Sequence, residues 1–483
     1  MLDRLFKRKD LNAMIQEAGS ANGGLKRSLT ATQLVLLGIG AIVGTGIFVI
    51  TGQAAGTYAG PALTISFVFS ALCCVFTALC YAELAAMIPV AGSVYSYSYT
   101  TMGELFAWFI GWTLVLEYLF ASASVAVGWS GYMTNLLEGW SIHLPQHISN
   151  PTFDMVNGEW VWTGSLINFP AVLIVTIIAG FLIGGIQQSA MINNIFVVIK
   201  ISVVLLFIAF GLSYVDVGNW QPYIPENTGE FGHFGWSGIL RGTAVVFFAY
   251  LGFDALSTAA QETRNPQKDL PKGILGSLII CAILYVAVTA VLTGMVYYTE
   301  LNVPTPIALA IDRTGEGLLW LSPLIKIGAI AAMTSVILVM MLGQSRIYYA
   351  ISKDGLLPRT LSKVNVKRGT PQNATIVAGI ATALFAGLFP LHVLAELVSI
   401  GTLMAFSVVC IAIVILRKTE PHLKRPFKTP FVPVLPILGA ALCIIQMASL
   451  PWPTWLRLIL WTLVGFIIYF TYGIKNSKVN QLP

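Results

Sequence analysis

Gly38-Ile39-Gly40-Ala41-Ile42-Val43-Gly44-Thr45-Gly46-Ile47-Phe48 places four glycines inside an apolar run, Ala31 to Tyr58, that is long enough to span a bilayer. An unbroken transmembrane helix gains nothing from them, since each glycine costs roughly 1 kcal/mol against alanine in a helix. Non-helical backbone at membrane depth is tolerated only where protein or a polar cavity satisfies its amides and carbonyls. The segment therefore reads either as a helix interrupted for binding, or as one whose small residues let a neighbour pack closely. A second interruption bears on that choice. Within Gly238 to Ala260, the run Phe247-Phe248-Ala249-Tyr250-Leu251-Gly252-Phe253-Asp254-Ala255 puts a glycine and a carboxylate near mid-span, where an aspartate is costly enough to need a purpose.

The rest of the chain is equally apolar. Of its 483 residues 56% are hydrophobic and only 10% charged, with a mean hydropathy of +0.79, which lies outside soluble globular composition. Hydropathy predicts an all-α membrane protein with twelve spans: 31–58, 61–87, 105–133, 166–186, 192–212, 238–260, 274–298, 318–342, 374–389, 391–416, 432–450 and 455–472. Lysine and arginine set the orientation. With the N-terminus inside, 22 of the 27 fall in cytoplasmic segments, while the 135–165 and 213–236 loops contain none. Both termini are therefore expected in the cytoplasm. The net charge of +6 is then a topological signature with anionic lipid headgroups as its partner, and no nucleic-acid footprint. No apolar core precedes residue 31, so no cleavable signal peptide is expected. The six cysteines lie within spans and the five histidines show no ligand spacing, so neither a disulfide framework nor a metal is expected.

No loop exceeds about thirty residues, so function must reside within the membrane. The expected organisation is a cytoplasmic segment 1–30, a core 31–416, two further spans in 417–472, and a tail 473–483. Lys353 to Pro358 suits a short helix at the inner interface. The two breaks lie five spans apart. If spans 1–5 and 6–10 are repeats, their odd number inverts the second relative to the first and the broken spans become symmetry mates meeting near the midplane, the arrangement that points to a secondary-transporter site.

Four segments carry a family resemblance: GAIVGTGIF at 40–48, YAELAAMIPVAGSVYSYSY at 81–99, FFAYLGFDALSTAAQETRNPQKDLPKGI at 247–274 and RIYYAISKDGLLP at 346–358. Together they resemble the amino acid-polyamine-organocation (APC) superfamily over nearly the whole chain, and the last two look most like its cationic amino acid transporter subgroup and bacterial relatives. The resemblance implies the LeuT-type fold, with a 5+5 inverted repeat and discontinuous helices 1 and 6.

Span 1 running outward would end its inner half near Ile42 and Val43 with unpaired carbonyls and begin its outer half near Gly46 with unpaired amides. A carboxylate suits the amides of Gly44, Thr45 and Gly46, with the Thr45 hydroxyl as a further donor. Span 6 runs the other way and offers the carbonyls of Phe248, Ala249 and Leu251 to an ammonium group. A zwitterionic L-amino acid matches both poles. The resemblance implies the same division of labour, with Phe247 and Phe248 as an aromatic lid. It also implies a gating or proton-responsive role for Asp254, for which the residues alone equally allow a cap on the inner half-helix.

Lys200 stands alone in an apolar stretch about 12 Å deep, counted from Ile192; snorkelling is its simplest explanation, though a strained one. The resemblance implies that Lys200 takes the place of a coupling sodium beside the pair Thr334-Ser335, with the proton as coupling ion and Glu117 as its neighbour. Pairing Glu117 with Lys200 would offset part of the cost of both charges. Lys326 has no evident role. For substrate choice, Met333 and Met340 lie seven apart on one face of span 8 and would narrow a tail pocket, favouring small neutral over cationic amino acids; flexible core filling explains them equally well.

The expected function is a proton-coupled symporter that imports L-amino acids, small neutral or cationic, across the plasma membrane of a bacterium by alternating access, with no cofactor and with a small membrane partner left open. An exchanger of the same fold is the alternative. A membrane enzyme finds no His, Ser/His/Asp set or metal spacing to join Glu117, Lys200 and Asp254, and a channel finds no selectivity loops or charged rings.

Overall fold

A computed structural model describes residues 5–9, 29–87, 93–156, 159–184, 186–365 and 370–481. Most of the 1–30 segment, residues 88–92 of the 81–99 motif, and Lys367 and Arg368 lie outside the described residues. The fold is built of helices: α1 (Ala31–Ile42), α2 (Leu63–Met87), α3 (Glu104–Gly139), α4 (Phe169–Gly184), α5 (Ile186–Gly211), α6 (Gly235–Val246), α7 (Pro266–Met295), α8 (Ser322–Lys353), α9 (Gln372–Leu388), α10 (Leu391–Thr419), α11 (Val434–Ser449) and α12 (Trp452–Ile468). Eight helical stretches are long and apolar enough to cross a membrane; α1, α4, α9 and α11 are apolar but shorter. Large aliphatic side chains such as Ile195, Val198, Ile283, Ile380 and Ile467 stand exposed, as an exterior facing hydrocarbon requires and one facing water would not tolerate.

Each helix starts where its sequence allows. Thr30 and Gln33 form a reciprocal capping box on α1, and Pro266 and Pro323 sit in the first turns of α7 and α8, where a missing amide costs nothing. Packing pairs helices five apart: α2 lies along α7, α3 along α8 and α4 along α9. The 134–165 connection holds a short hairpin, β1 (Phe153–Val156) antiparallel to β2 (Glu159–Trp162).

Three expectations are corrected. The helix expected over Lys353–Pro358 does not form: α8 runs on to Lys353, and the next helical turn is the 3-10 segment Arg359–Ser362. Asp354 follows the end of α8 and joins three parts of the chain. Its carboxylate accepts from Lys9 Nζ and from the Tyr95 hydroxyl, both at 2.8 Å, and its carbonyl from the Lys478 amide at 3.0 Å. α5 begins at Ile186, not 192, which puts Lys200 about 21 Å along it. The second half of span 6 is the 3-10 segment Asp254–Glu262 rather than an α-helix.

Candidate functional site

α1 stops at Ile42, where the Val43 amide closes on Ile39, and the chain resumes as a π-helical turn, Gly46–Ile50. Beyond the break the amides of Ile47 and Phe48 both turn to the Gly44 carbonyl at 3.2 Å, leaving the Gly44–Gly46 amides at its mouth. Span 6 breaks opposite. α6 tightens into the 3-10 turn Phe247–Tyr250 and then opens, with Leu251 extended and Gly252 at φ 114°, a conformation that only glycine adopts without strain. The two breaks touch: a Cβ on Gly46 would lie 2.4 Å from the Ala249 Cα. Both readings of the glycine run are thus realised, one break and one close approach.

The carbonyl end of α1 is already occupied. Lys200 Nζ donates to the carbonyls of Gly40 at 2.6 Å and Val43 at 2.9 Å and to Ser335 Oγ at 3.3 Å, and Ser335 Oγ itself donates to the Gly40 carbonyl at 3.2 Å. Lys200 is fully buried. An ammonium there satisfies the acceptors a small cation would need, which also disposes of snorkelling.

Of the expected Thr334-Ser335 pair, Ser335 alone reaches the lysine. Thr334 Oγ1 accepts from Trp129 Nε1 at 3.0 Å and donates to the Ile330 carbonyl at 2.8 Å; adjacent residues on a helix point about 100° apart, so one site rarely collects both. The expected Glu117–Lys200 ion pair is absent among the described residues. Glu117 is fully buried, and the polar groups nearest its carboxyl are Asp254 and the Thr402 hydroxyl rather than Lys200. Asp254 opens the following segment, and its carboxylate accepts the first amides there, those of Asp254 and Ala255, as the capping reading expects. Its Oδ1 also accepts the Gly252 amide at 3.2 Å and its Oδ2 the Tyr118 hydroxyl at 2.8 Å, which ties α3 to the break in span 6.

Thr45 Oγ1 is buried and without a partner. An unsatisfied hydroxyl at a break is the polar group a ligand would complete. Phe247 packs edge-on against Phe406 with ring centroids 5.6 Å apart, which commits it to α10 and leaves Phe248 as the lid candidate. The Phe248 carbonyl accepts the Leu251 amide at 3.3 Å. Met333 and Met340 are buried along α8. Lys326 pairs with Asp312 at 3.7 Å, close to the start of α8 and away from the breaks.

Tyr285 of α7 was not anticipated. Its hydroxyl lies 2.9 Å from the Ile42 carbonyl and 2.8 Å from that of Ala249, joining the two breaks through one proton. The signal was a tyrosine inside the apolar run 274–298, since a phenol buried in hydrocarbon must find an acceptor. We expect Tyr285→Phe to leave two buried carbonyls without their donor, a cost of about 1–3 kcal/mol. It should weaken substrate binding by roughly tenfold, read as a rise in apparent Kd by thermal-shift titration of the purified protein.

Beyond the break, on the Tyr58 side, a cavity of about 260 Å³ is lined by Ile50, Gln53, Val245, His392 and Glu396 among others. Where α8 stops, Asp354 joins Lys9 and Tyr95.

Residues 29–474 match the amino acid permease family. The chain is 48% identical over 482 residues to the branched-chain amino acid permease BcaP of Bacillus subtilis (strain 168), covering all of both chains. It is 44% identical to the methylthioribose transporter of the same organism over 480 residues, 99% of this chain and 100% of that one. It is 35% identical over 421 residues to the vacuolar cationic amino acid transporter 4 of Arabidopsis thaliana, 87% of this chain and 68% of that one. With two interrupted helices meeting at Gly46 and Ala249, and with that family model covering nearly its whole length, the chain belongs to the amino acid permease family of the APC superfamily.

Proposed function

We propose that the protein is a proton-coupled symporter that brings neutral L-amino acids into a bacterial cell across the plasma membrane, both termini being cytoplasmic. The observation that carries the proposal is Lys200 on the Gly40 and Val43 carbonyls and Ser335. In this reading the chain crosses the membrane twelve times in two inverted five-helix repeats, with the two breaks as corresponding elements, and the packing of helices five apart on one another supports it. A cavity on the Tyr58 side and the Lys9–Asp354–Tyr95 contacts where α8 stops fit a chain open to the exterior.

In this reading the substrate carboxylate sits on the Gly44–Gly46 amides with the Thr45 hydroxyl, and the ammonium takes carbonyls of span 6 that Tyr285 and Leu251 now engage. Phe248 closes over the tail. When Lys200 carries a proton it holds the end of α1 against the middle of α8 at Ser335; when it loses the proton to the cytoplasm those carbonyls face a neutral amine that holds them more weakly, and the inner half of α1 is released. Glu117 and Asp254, facing each other at the other side of the break, gate rather than neutralise the lysine. The name of the bacterial relative at 48% identity favours branched aliphatic tails over arginine.

A second reading rests on the methylthioribose transporter at 44% identity, because a thiosugar has neither pole. A panel of radiolabelled leucine, alanine, arginine and methylthioribose, supplied to liposomes with and without an inward pH gradient, separates the two: we expect leucine and alanine to accumulate only with the gradient, and uptake of methylthioribose alone would replace the amino acid reading.

Tail selection gives a further expected result. Met340→Ser replaces a bulky thioether by a hydroxyl able to accept from a guanidinium, so arginine binding should gain on alanine binding by about 1–2 kcal/mol, roughly tenfold in ratio. Parallel binding titrations in detergent read this ratio, and an unchanged ratio places the tail pocket elsewhere.

A further inference from the structure

α10 and α11 enclose, besides the site between the breaks, an apolar groove of about 360 Å³. Cys410, Ile411, Ile415, Pro436, Ala441 and Ile444 line it, with Ile411, Ile437 and Ile444 exposed along its open side. It forms because α11 presents small residues: at Gly439 a Cβ would meet Cys410 Sγ at 3.0 Å and Phe76 Cβ at 3.3 Å, so the helices touch there and part beside it. No lining side chain is polar, which excludes the transported solute.

The groove runs from Pro436 to Ile444, about 12 Å along the helix, and one end opens at the α10–α11 connection. That depth is close to half of the roughly 30 Å hydrocarbon core, the reach of one leaflet and short of what a spanning helix would fill. The connection is basic. Arg417 and Arg425 are committed to the buried Glu83 carboxylate, at 2.7 and 3.3 Å. Lys418, Lys424 and Lys428 are exposed and form no ion pair among the described residues, against one acidic side chain, Glu420, in the same stretch.

We infer that this groove is a binding site for one anionic phospholipid, its acyl chain between α10 and α11 and its headgroup phosphate on Lys418, Lys424 and Lys428. The groove ends, at Ile415 and Pro436, beside the connection that carries this uncommitted positive charge, a combination that a zwitterionic lipid matches only in part. The assignment to the cytoplasmic leaflet rests on the proposed orientation, and retention of the lipid is read without transport.

The test is native mass spectrometry of the full chain in detergent with added phosphatidylglycerol or phosphatidylcholine. We expect one phosphatidylglycerol to be retained where phosphatidylcholine is stripped. Changing Lys418, Lys424 and Lys428 to Gln should weaken retention about fivefold for each lysine removed, and Ala441→Phe, which fills the groove and leaves every lysine in place, should abolish the preference. Equal retention of the two lipids by the unaltered chain overturns the inference. So does equal retention by the chain and both variants, or a dimer or a co-purified small protein that Ala441→Phe displaces in place of lipid.

Discussion

Lys200→Met is expected to abolish accumulation of amino acid driven by an inward pH gradient, lowering gradient-driven uptake about a hundredfold or more, while binding of the same amino acid in detergent falls less than tenfold. The asymmetry follows from what the ammonium touches. Its partners are the Gly40 and Val43 carbonyls and Ser335 Oγ, all at the end of the inner half of α1 and none of them the amides proposed for the substrate carboxylate. Removing it leaves the Val43 carbonyl without its donor and the Gly40 carbonyl with Ser335 alone, about 1–3 kcal/mol, and takes away the group whose proton is carried. The sign is fixed by the direction of transfer: acid outside protonates the lysine while the site faces out, so uptake by the unaltered protein rises as external pH falls at constant internal pH. Each pH unit supplies about 1.4 kcal/mol per proton and 100 mV about 2.3 kcal/mol per charge, enough for tens- to hundreds-fold accumulation. Uptake by the variant should be flat across the same range. A variant that still responds to pH would move the proton site to the Glu117–Asp254 side.

Blocking either pole of the substrate should be nearly as severe. Leucine methyl ester and N-acetyl-leucine are expected to lose competition against radiolabelled leucine by about 30-fold or more, the effect of removing one partner of a buried charged contact worth about 2–5 kcal/mol. Shortening the tail to alanine should cost only about 1–3 kcal/mol. The ranking tests the two breaks directly. Thr45 Oγ1 has no hydrogen-bond partner, and the Ala249 carbonyl is held by a phenol that an ammonium can displace. Equal competition by the ester and by leucine would show that the Gly44–Gly46 amides do not receive the carboxylate.

The parts of this site that were legible in the sequence are those where a residue violates the demands of a membrane. Glycines at 44 and 46, Gly252 beside Asp254 and the isolated Lys200 each break the rule that a span be apolar and helical, and each sits at the breaks. Partner identity was not legible. Glu117 and Lys200 both needed a counter-charge and were matched to one another, yet the carbonyls exposed where α1 stops satisfy the ammonium better than a carboxylate that would itself need burial. The same blindness hid Tyr285, whose partners are backbone atoms of two distant segments. The 3-10 character of Asp254–Glu262 was hidden because apolar periodicity over nine residues does not separate a 3.0 from a 3.6 repeat.

The most direct measurement is proton movement itself. Liposomes containing the purified protein and a trapped pH-sensitive dye, held in sodium-free potassium buffer, receive leucine on the outside. The account predicts that the interior acidifies on leucine addition, that the Lys200→Met protein gives no such signal, and that replacing potassium by sodium changes nothing. Leucine uptake that requires sodium and leaves internal pH unmoved would contradict it.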